Sequence, residues 1–215
     1  MLRWRVVLLS GVVGAVLAPS AAVAPAVAFG QSVAQPLGPD GSWIVKSSAS
    51  IVGFRAREKY LRLPVPSEVV GRTSVITGTM TIGRSAILAT AIVVDMRTLK
   101  TGDSQRDETL RTSRGPKWND YPRGTFKLQQ PILLGRLQPG TIKKVGAKGV
   151  LQLHGVSRVV LYPLEVRWEG STFEAAGRLR TRMTAFGFDP PSVAGFTTVS
   201  NAFTIEVKLT FVRPE

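Results

Sequence analysis

Cysteine is absent from this chain of 215 residues, and histidine occurs once, at position 154. The first absence excludes a disulfide framework, thiolate zinc sites, a cysteine nucleophile and an acylated lipoprotein cysteine. The second excludes a histidine-rich metal site. Neither a Gly-x-Ser-x-Gly elbow nor a phosphate-binding glycine loop occurs in the sequence, which closes two further routes to catalysis. His154, Ser157 and Asp107 can be written down as a triad, but nothing in their placement along the chain brings them together. No catalytic residue, metal or cofactor is therefore expected.

Acidic residues are also scarce, 14 against 28 lysines and arginines, for a formal charge of +14. Two of those charges, Arg3 and Arg5, lie in the first 28 residues, so +12 stays with the remainder. Such a balance favours anionic neighbours, a membrane surface among them. Specific nucleic-acid binding is not expected, because the basic residues are spread over nearly every segment without a basic helix or an aromatic stacking motif.

The N-terminus carries the one segment of distinct character. Arg3 and Arg5 precede an apolar run from Val6 to Leu17, and Ala26-Val27-Ala28 supplies small residues at a cleavage position. This is the pattern of an export signal cut after Ala28, which places the protein in a secreted, periplasmic or envelope location. An uncleaved membrane anchor is the competing reading, since no charge falls between Arg5 and Asp40, and Pro19 and Pro25 weigh against it. Residues 29–41 read as a flexible lead-in, and residues 42–215 as one domain, because no linker divides them.

What fills that domain is two-residue periodicity. Ala49 to Arg57, Ser74 to Ile82, Ala86 to Met96, Thr125 to Leu128, Ile132 to Leu134, Val145 to Leu153, Val159 to Trp168, Phe173 to Met183 and Ala202 to Arg213 all alternate apolar and polar residues, as half-buried strands do. The last is the clearest, with Phe203, Ile205, Val207, Leu209 and Phe211 on one parity. His154 to Arg158 reads as the break of a hairpin. Lys59 to Arg72, holding Pro64 and Pro66, reads as a loop or edge crossing. Between Thr98 and Tyr121 the alternation stops, and a short helix over Gln105 to Thr112 is expected, capped by Asp103 or Ser104. About eight strands without covering helices imply an antiparallel barrel or sandwich; alternation alone does not separate the two.

Three stretches carry a resemblance. Thr98-Leu99-Lys100-Thr101-Gly102-Asp103, running into Arg106-Asp107-Glu108-Thr109-Leu110-Arg111-Thr112, is one; Tyr121-Pro122-Arg123-Gly124-Thr125-Phe126 is the second; Gly149 to Val160, with Leu151, Leu153, His154, Gly155, Val156, Ser157 and Arg158, is the third. In order and spacing they resemble the YceI-like family of exported lipid-binding proteins. Departures are Lys100 in place of an aspartate, Thr109 in place of a histidine, and Arg114 to Lys117 in place of a Phe-Phe-Asp segment. The resemblance implies an all-β fold, an extended eight-stranded antiparallel lipocalin-like β-barrel with a short helix in a long loop. It further implies non-enzymatic binding, sequestration or transport of a polyisoprenoid or other long-chain lipid outside the cytoplasm.

On that basis the lumen candidates are Val52, Phe54, Ile92, Val94, Phe126, Leu151, Leu153, Val166, Trp168, Leu179, Ile205 and Val207, residues whose parity alone equally describes a solid core. Arg106, Asp107 and Arg111 are read as a charge network ordering the long loop, and His154 as a side chain fixing the hairpin, with a ligand head-group contact as its rival. A homodimer is a further partner expectation. The alternative function is an extracytoplasmic stress-response or interaction module whose barrel is packed and carries no lipid.

Overall fold

The computed structural model describes residues 38–60, 65–112, 115–193 and 197–214. The export signal, most of the lead-in, and part of the Lys59 to Arg72 segment lie outside the described residues. Strands are β1 (Gly41–Val45), β2 (Ile51–Tyr60), β3 (Ser67–Thr73), β4 (Ile76–Gly83), β5 (Ala86–Asp95), β6 (Arg123–Leu128), β7 (Ile132–Leu133), β8 (Ile142–Leu153), β9 (Val156–Glu169), β10 (Thr172–Arg182), β11 (Ser192–Val193) and β12 (Thr197–Val212), with one helix, α1 (Ser104–Arg111).

All pairings are antiparallel, and the ladder closes: β12 pairs with β10 on one side and with β2 and then β1 on the other, while β1 pairs with β4. β1 and β2 act as one stave bent at a 3-10 turn, Ser47–Ala49, as do β3 with β4 and β6 with β7. The result is a closed eight-stranded barrel. At the first bend the ladder would lose partners, and side chains supply them. Buried Ser50 donates to the Lys46 carbonyl at 2.8 Å and accepts from the Thr210 amide at 3.0 Å, while Thr210 Oγ1 donates to the Ala49 carbonyl at 3.1 Å.

Two expectations need correction. Lys59 to Arg72 is not a loop throughout, because Ser67 onward pairs with β2 from Glu58 to Val52; the prolines at 64 and 66 precede that strand rather than interrupt it. The hairpin break is also shorter than expected. Val156, Ser157 and Arg158 pair with Leu153, Gln152 and Leu151, leaving His154 (φ 50°) and Gly155 (φ 75°) as a two-residue turn with both residues left-handed. Such a turn matches the strand twist, and histidine tolerates this region better than branched residues do. Arg84 and Ser85 make the same kind of turn between β4 and β5.

The barrel has two unlike ends. One is closed by Trp43, Phe173 and Phe211, all nearly inaccessible, with the Trp43 and Phe173 rings 6.1 Å apart. There Arg213 lies over the Trp43 ring and donates to the Gly38 and Asp40 carbonyls, each at 2.6 Å, tying down the described part of the lead-in. The other end is covered by α1, the segment from Gly115 to Pro122, and the 3-10 turn Met183–Phe186. Among the described residues no helix is long and apolar enough to cross a membrane.

Candidate functional site

An internal cavity of about 160 Å³ runs along the barrel axis from Phe173, Leu209 and Phe211 at the closed end to Leu110, Pro116, Trp118, Met183 and Phe188 under the cover. Its lining is almost wholly hydrocarbon. Inward-facing residues from each stave contribute, since alternate side chains of a strand point to one face. Of the lumen candidates, Val52, Phe54, Ile92, Val94, Phe126, Leu151, Leu153, Val166, Ile205 and Val207 face the cavity. Trp168 and Leu179 do not line it: Trp168 is buried with its indole N–H donating to the Gly170 carbonyl at 2.9 Å, and Leu179 packs half-buried against the core.

Glycine makes room for two of the aromatic walls. A methyl group at Gly149 would stand 2.5 Å from Phe126 Cζ, and one at Gly71 would stand 2.2 Å from Phe54 Cε1. Phe126 ends the Tyr-Pro stretch and Gly149 begins the hairpin stretch, so two motifs far apart in sequence are halves of one contact. The pairing continues at the covered end. There Tyr121 lies against His154, ring centroids 3.9 Å apart, and His154 against Phe188 at 5.4 Å. Burial, together with the positive charge of Lys117, holds the His154 imidazole below its ordinary value, although a backbone hydrogen bond at Phe186 and the charge of Asp120 oppose it.

Tyr162 crosses the interior from β9 and donates its hydroxyl to the Ile205 carbonyl at 2.8 Å. Burial pushes that phenol far above the usual tyrosine range. It is committed to a protein acceptor and offers no acid or base.

The expected network of Arg106, Asp107 and Arg111 divides into three separate contacts. Arg106 reaches Glu58 on β2 at 2.9 Å, fastening α1 to the barrel rim. Asp107, 5% exposed, accepts from the Thr101 amide at 2.8 Å and the Thr101 hydroxyl at 2.7 Å, with Lys100 Nζ at 3.7 Å. Burial pushes its carboxyl upward, but these hydrogen bonds and the charges of Lys100 and Arg111 outweigh it and hold the group below the ordinary carboxylate value. Arg111 pairs with Glu108 on its own helix at 3.0 Å. Asp103 caps the helix by accepting from the Arg106 amide at 2.9 Å. Asp107 and His154 have separate partners, so the triad arrangement is not formed.

Outside the cover, β2, β3, the start of β12 and α1 enclose a wider chamber of about 660 Å³. It shares Phe54, Leu110, Met183 and Pro191 with the inner cavity. Its polar wall is a cluster on Glu58, whose Oε1 accepts from Tyr60 at 2.7 Å, Ser67 at 3.2 Å and Arg106. No group of three or more histidine, aspartate or glutamate side chains able to hold a metal occurs among the described residues. Chemically, the arrangement can accommodate apolar groups in the inner cavity and offer polar contacts at one end.

Sequence reasoning missed the cover and the closed end. Trp118, Pro116 and Phe188 lie in irregular segments where no period flags an inward residue, while Met183 closes the alternation of β10 on the inward parity without being named a candidate. Leu209 and Phe211 sat on the correct parity of the last strand without being singled out.

The fold has solved relatives. A polyisoprenoid binding domain from Saccharophagus degradans implicated in plant cell wall breakdown superposes with a TM-score of 0.62 at 16% identity, covering 80% of this chain and 98% of its own. BcnA of Burkholderia cenocepacia gives 0.60 at 19%, covering 77% and 98%. The YceI protein of Campylobacter jejuni gives 0.56 at 15%, covering 73% and 91%. At these identities the likeness establishes the fold. No curated protein matches the chain. Residues 43–211 match the YceI-like domain, a span that holds all three motif stretches and all but the first two residues of β1 and the last of β12, and the chain therefore belongs to the YceI-like family.

Proposed function

We propose that this protein is a non-enzymatic carrier that sequesters or transports a polyisoprenoid-type amphiphile outside the cytoplasm. The observation that carries this reading is the hydrocarbon-lined cavity of about 160 Å³ along the barrel axis. A cavity of about 150 Å³ admits a benzene-sized group, so this one holds about six carbon atoms. Threading that many methylene-sized groups into it gains on the order of 5 kcal/mol gross. Association and chain ordering take back at least about 4 kcal/mol of this, so the inner cavity alone gives a weak hold and further buried length is needed for a useful affinity. A longer chain continues into the outer chamber. The description of the Saccharophagus degradans domain as polyisoprenoid binding supports the ligand class, and the leader of Arg3, Arg5 and the apolar run to Ala28 supports the location.

The exterior supports delivery at an anionic membrane. On the outer faces of β6, β8 and β9, exposed Val159 (60%) and Leu161 (63%) stand among Lys127, Lys144 and Lys148, with Glu165 paired to Lys144 at 3.8 Å. Apolar side chains in a lysine-rich surround suit the headgroup region of an anionic bilayer.

The test is thermal. Melting of delipidated protein is recorded against geranylacetone, farnesylacetone and geranylgeranylacetone. A ligand of the native state raises the melting temperature with concentration, and the rise is expected to grow with chain length until the cavity is full. Unchanged melting with every member of the series would sink the carrier reading. The mature protein recovered from outside the cytoplasm is expected to begin at Phe29 by intact mass.

A further inference from the structure

The wall of the barrel is not paired along its whole height. β9 and β10 pair from Glu169 and Thr172 at their turn as far as Leu164 and Gly177, and there the ladder stops, although β9 reaches back to Val156 and β10 on to Arg182. Pro163 is the cause: it takes the next position whose N–H would bond to β10, and it has none. Beyond it lie the backbone groups of Val159 and Leu161 on one side and of Arg178 and Arg180 on the other, which the alternation of an antiparallel ladder turns toward the gap. They have no partner there among the described residues. The gap is bounded at both ends. A methyl group on Gly177 would stand 2.2 Å from the Pro163 carbonyl oxygen, and one on Gly187 would stand 3.1 Å from the Val156 side chain. Between these limits Ser157 to Leu161 forms the edge of a window, roughly 15 Å long at about 3.3 Å per residue.

Exposure follows the gap. On the inward parity of these two strands Val166, Trp168, Phe173 and Ala175 are buried. Val160, Leu179 and Thr181, of the same parity beside the window, are half-buried and do not line the cavity, so their exposure is to the outside. Tyr162 stands between them and the cavity, which it lines; its ring runs from β9 beneath Leu179 to the carbonyl of Ile205, the register partner of Leu179 on β12. The two outer rims are unlike. Val159 and Leu161 make one of them apolar, and exposed Arg178, Arg180 and Arg182 make the other basic. Arg178 is held by Glu206 at 3.0 Å, whereas Arg180 and Arg182 meet no acidic side chain among the described residues.

We infer that this window is the port through which the tail of an amphiphile with an anionic head enters and leaves the cavity. The head rests on Arg180 and Arg182, whose guanidinium groups suit a carboxylate or phosphate, while the tail passes Val159, Leu161 and the Tyr162 ring. This rests on the carrier reading and adds to it a route and a head charge.

The chain has no cysteine, so an introduced pair can be bridged selectively. Leu161→Cys with Arg180→Cys spans the window. Glu165→Cys with Ala176→Cys, exposed register partners in the intact ladder, is the control. Each delipidated full-length protein is bridged with ethylene bis-methanethiosulfonate, whose disulfides dithiothreitol cleaves, and mixed in stopped flow with cis-parinaric acid, which fluoresces on entering an apolar site. Bridging the window is expected to slow loading and release together by about tenfold, equivalent to about 1.4 kcal/mol on the barrier, with Kd unchanged and both rates restored on cleavage. The control bridge is expected to leave them as they were. Arg180→Gln with Arg182→Gln is expected to slow loading of the acid but not of its methyl ester. Loading at the unbridged rate with the window bridged, or equal slowing by the control bridge, would overturn the port while leaving the carrier intact; equal effects of the arginine changes on acid and ester would overturn the anionic head. Failure of the parent protein to take up either probe would overturn the port, and if the prenyl ketones also leave its melting unchanged the carrier reading falls with it.

Discussion

Substituting Ala175 by leucine separates occupancy of the cavity from stability of the barrel. Ala175 sits on β10 opposite Val166 and Leu209, is 7% exposed and faces the cavity. Leucine adds three carbon atoms there, filling about half of the six or so carbon positions available. A cargo chain displaced from those positions loses about 2.4 kcal/mol, at about 0.8 kcal/mol per methylene, which is roughly 60-fold in Kd. Stability of the empty protein moves the other way. Occupying void space returns on the order of 1 kcal/mol, at about 24 cal/mol per Å³ of cavity removed, so melting without ligand is expected to rise or hold. Ala176 is the matched control, because it is exposed on the outer face of the same strand between Glu165 and Lys208. Calorimetric titration with farnesylacetone and melting of the unliganded proteins give both quantities. Undiminished binding by Ala175→Leu, with the variant folded, would refute the placement of the tail in this cavity.

Other outcomes follow from the cover and the hairpin. Asp107→Asn removes a buried carboxylate that accepts two hydrogen bonds from Thr101, at a cost of about 2 kcal/mol, and is expected to speed hydrogen exchange across Leu99 to Leu110. Because the folded Asp107 carboxyl lies below its ordinary 3.8, its contribution is complete above that value and disappears as pH falls through the lower folded value; the variant is expected to lack that acid-dependent loss. His154 has a lowered folded pKa against an ordinary 6.5, so stability is complete above 6.5 and declines as pH drops toward the folded value. His154→Asn, suited to a left-handed turn position before Gly155, is expected to fold and to flatten the melting profile between pH 7 and the acid side. Tyr162→Phe removes the bond to the Ile205 carbonyl and is expected to lower stability by about 1 kcal/mol in urea titration, with the barrel retained.

The resemblance rested on motifs whose meaning is spatial. Gly149 and Phe126 belong to different stretches of sequence, and only their adjacency on β8 and β6 explains the need for a residue without a Cβ. Likewise Tyr121 and His154 are separated by the whole of β6 to β8, yet their rings touch. Lys100, a departure from the family pattern, pairs through its backbone with Arg72 and places its ammonium 3.7 Å from Asp107.

Alternation of apolar and polar residues, carried in nearly every segment from Ala49 to Arg213, determined by itself that the chain forms strands with one greasy face. That period is a local property of extended backbone and needs no fold to be read. The Asp103 cap and the helix behind it were equally local. Closure was not local. It depends on β1 meeting both β4 and β12, contacts between residues well over a hundred positions apart in the second case. Whether the inward side chains meet one another or leave a hollow is a matter of barrel radius against summed side-chain volume. No single segment carries that quantity, and only the assembled structure decided that a hydrocarbon-lined hollow lies along the barrel axis.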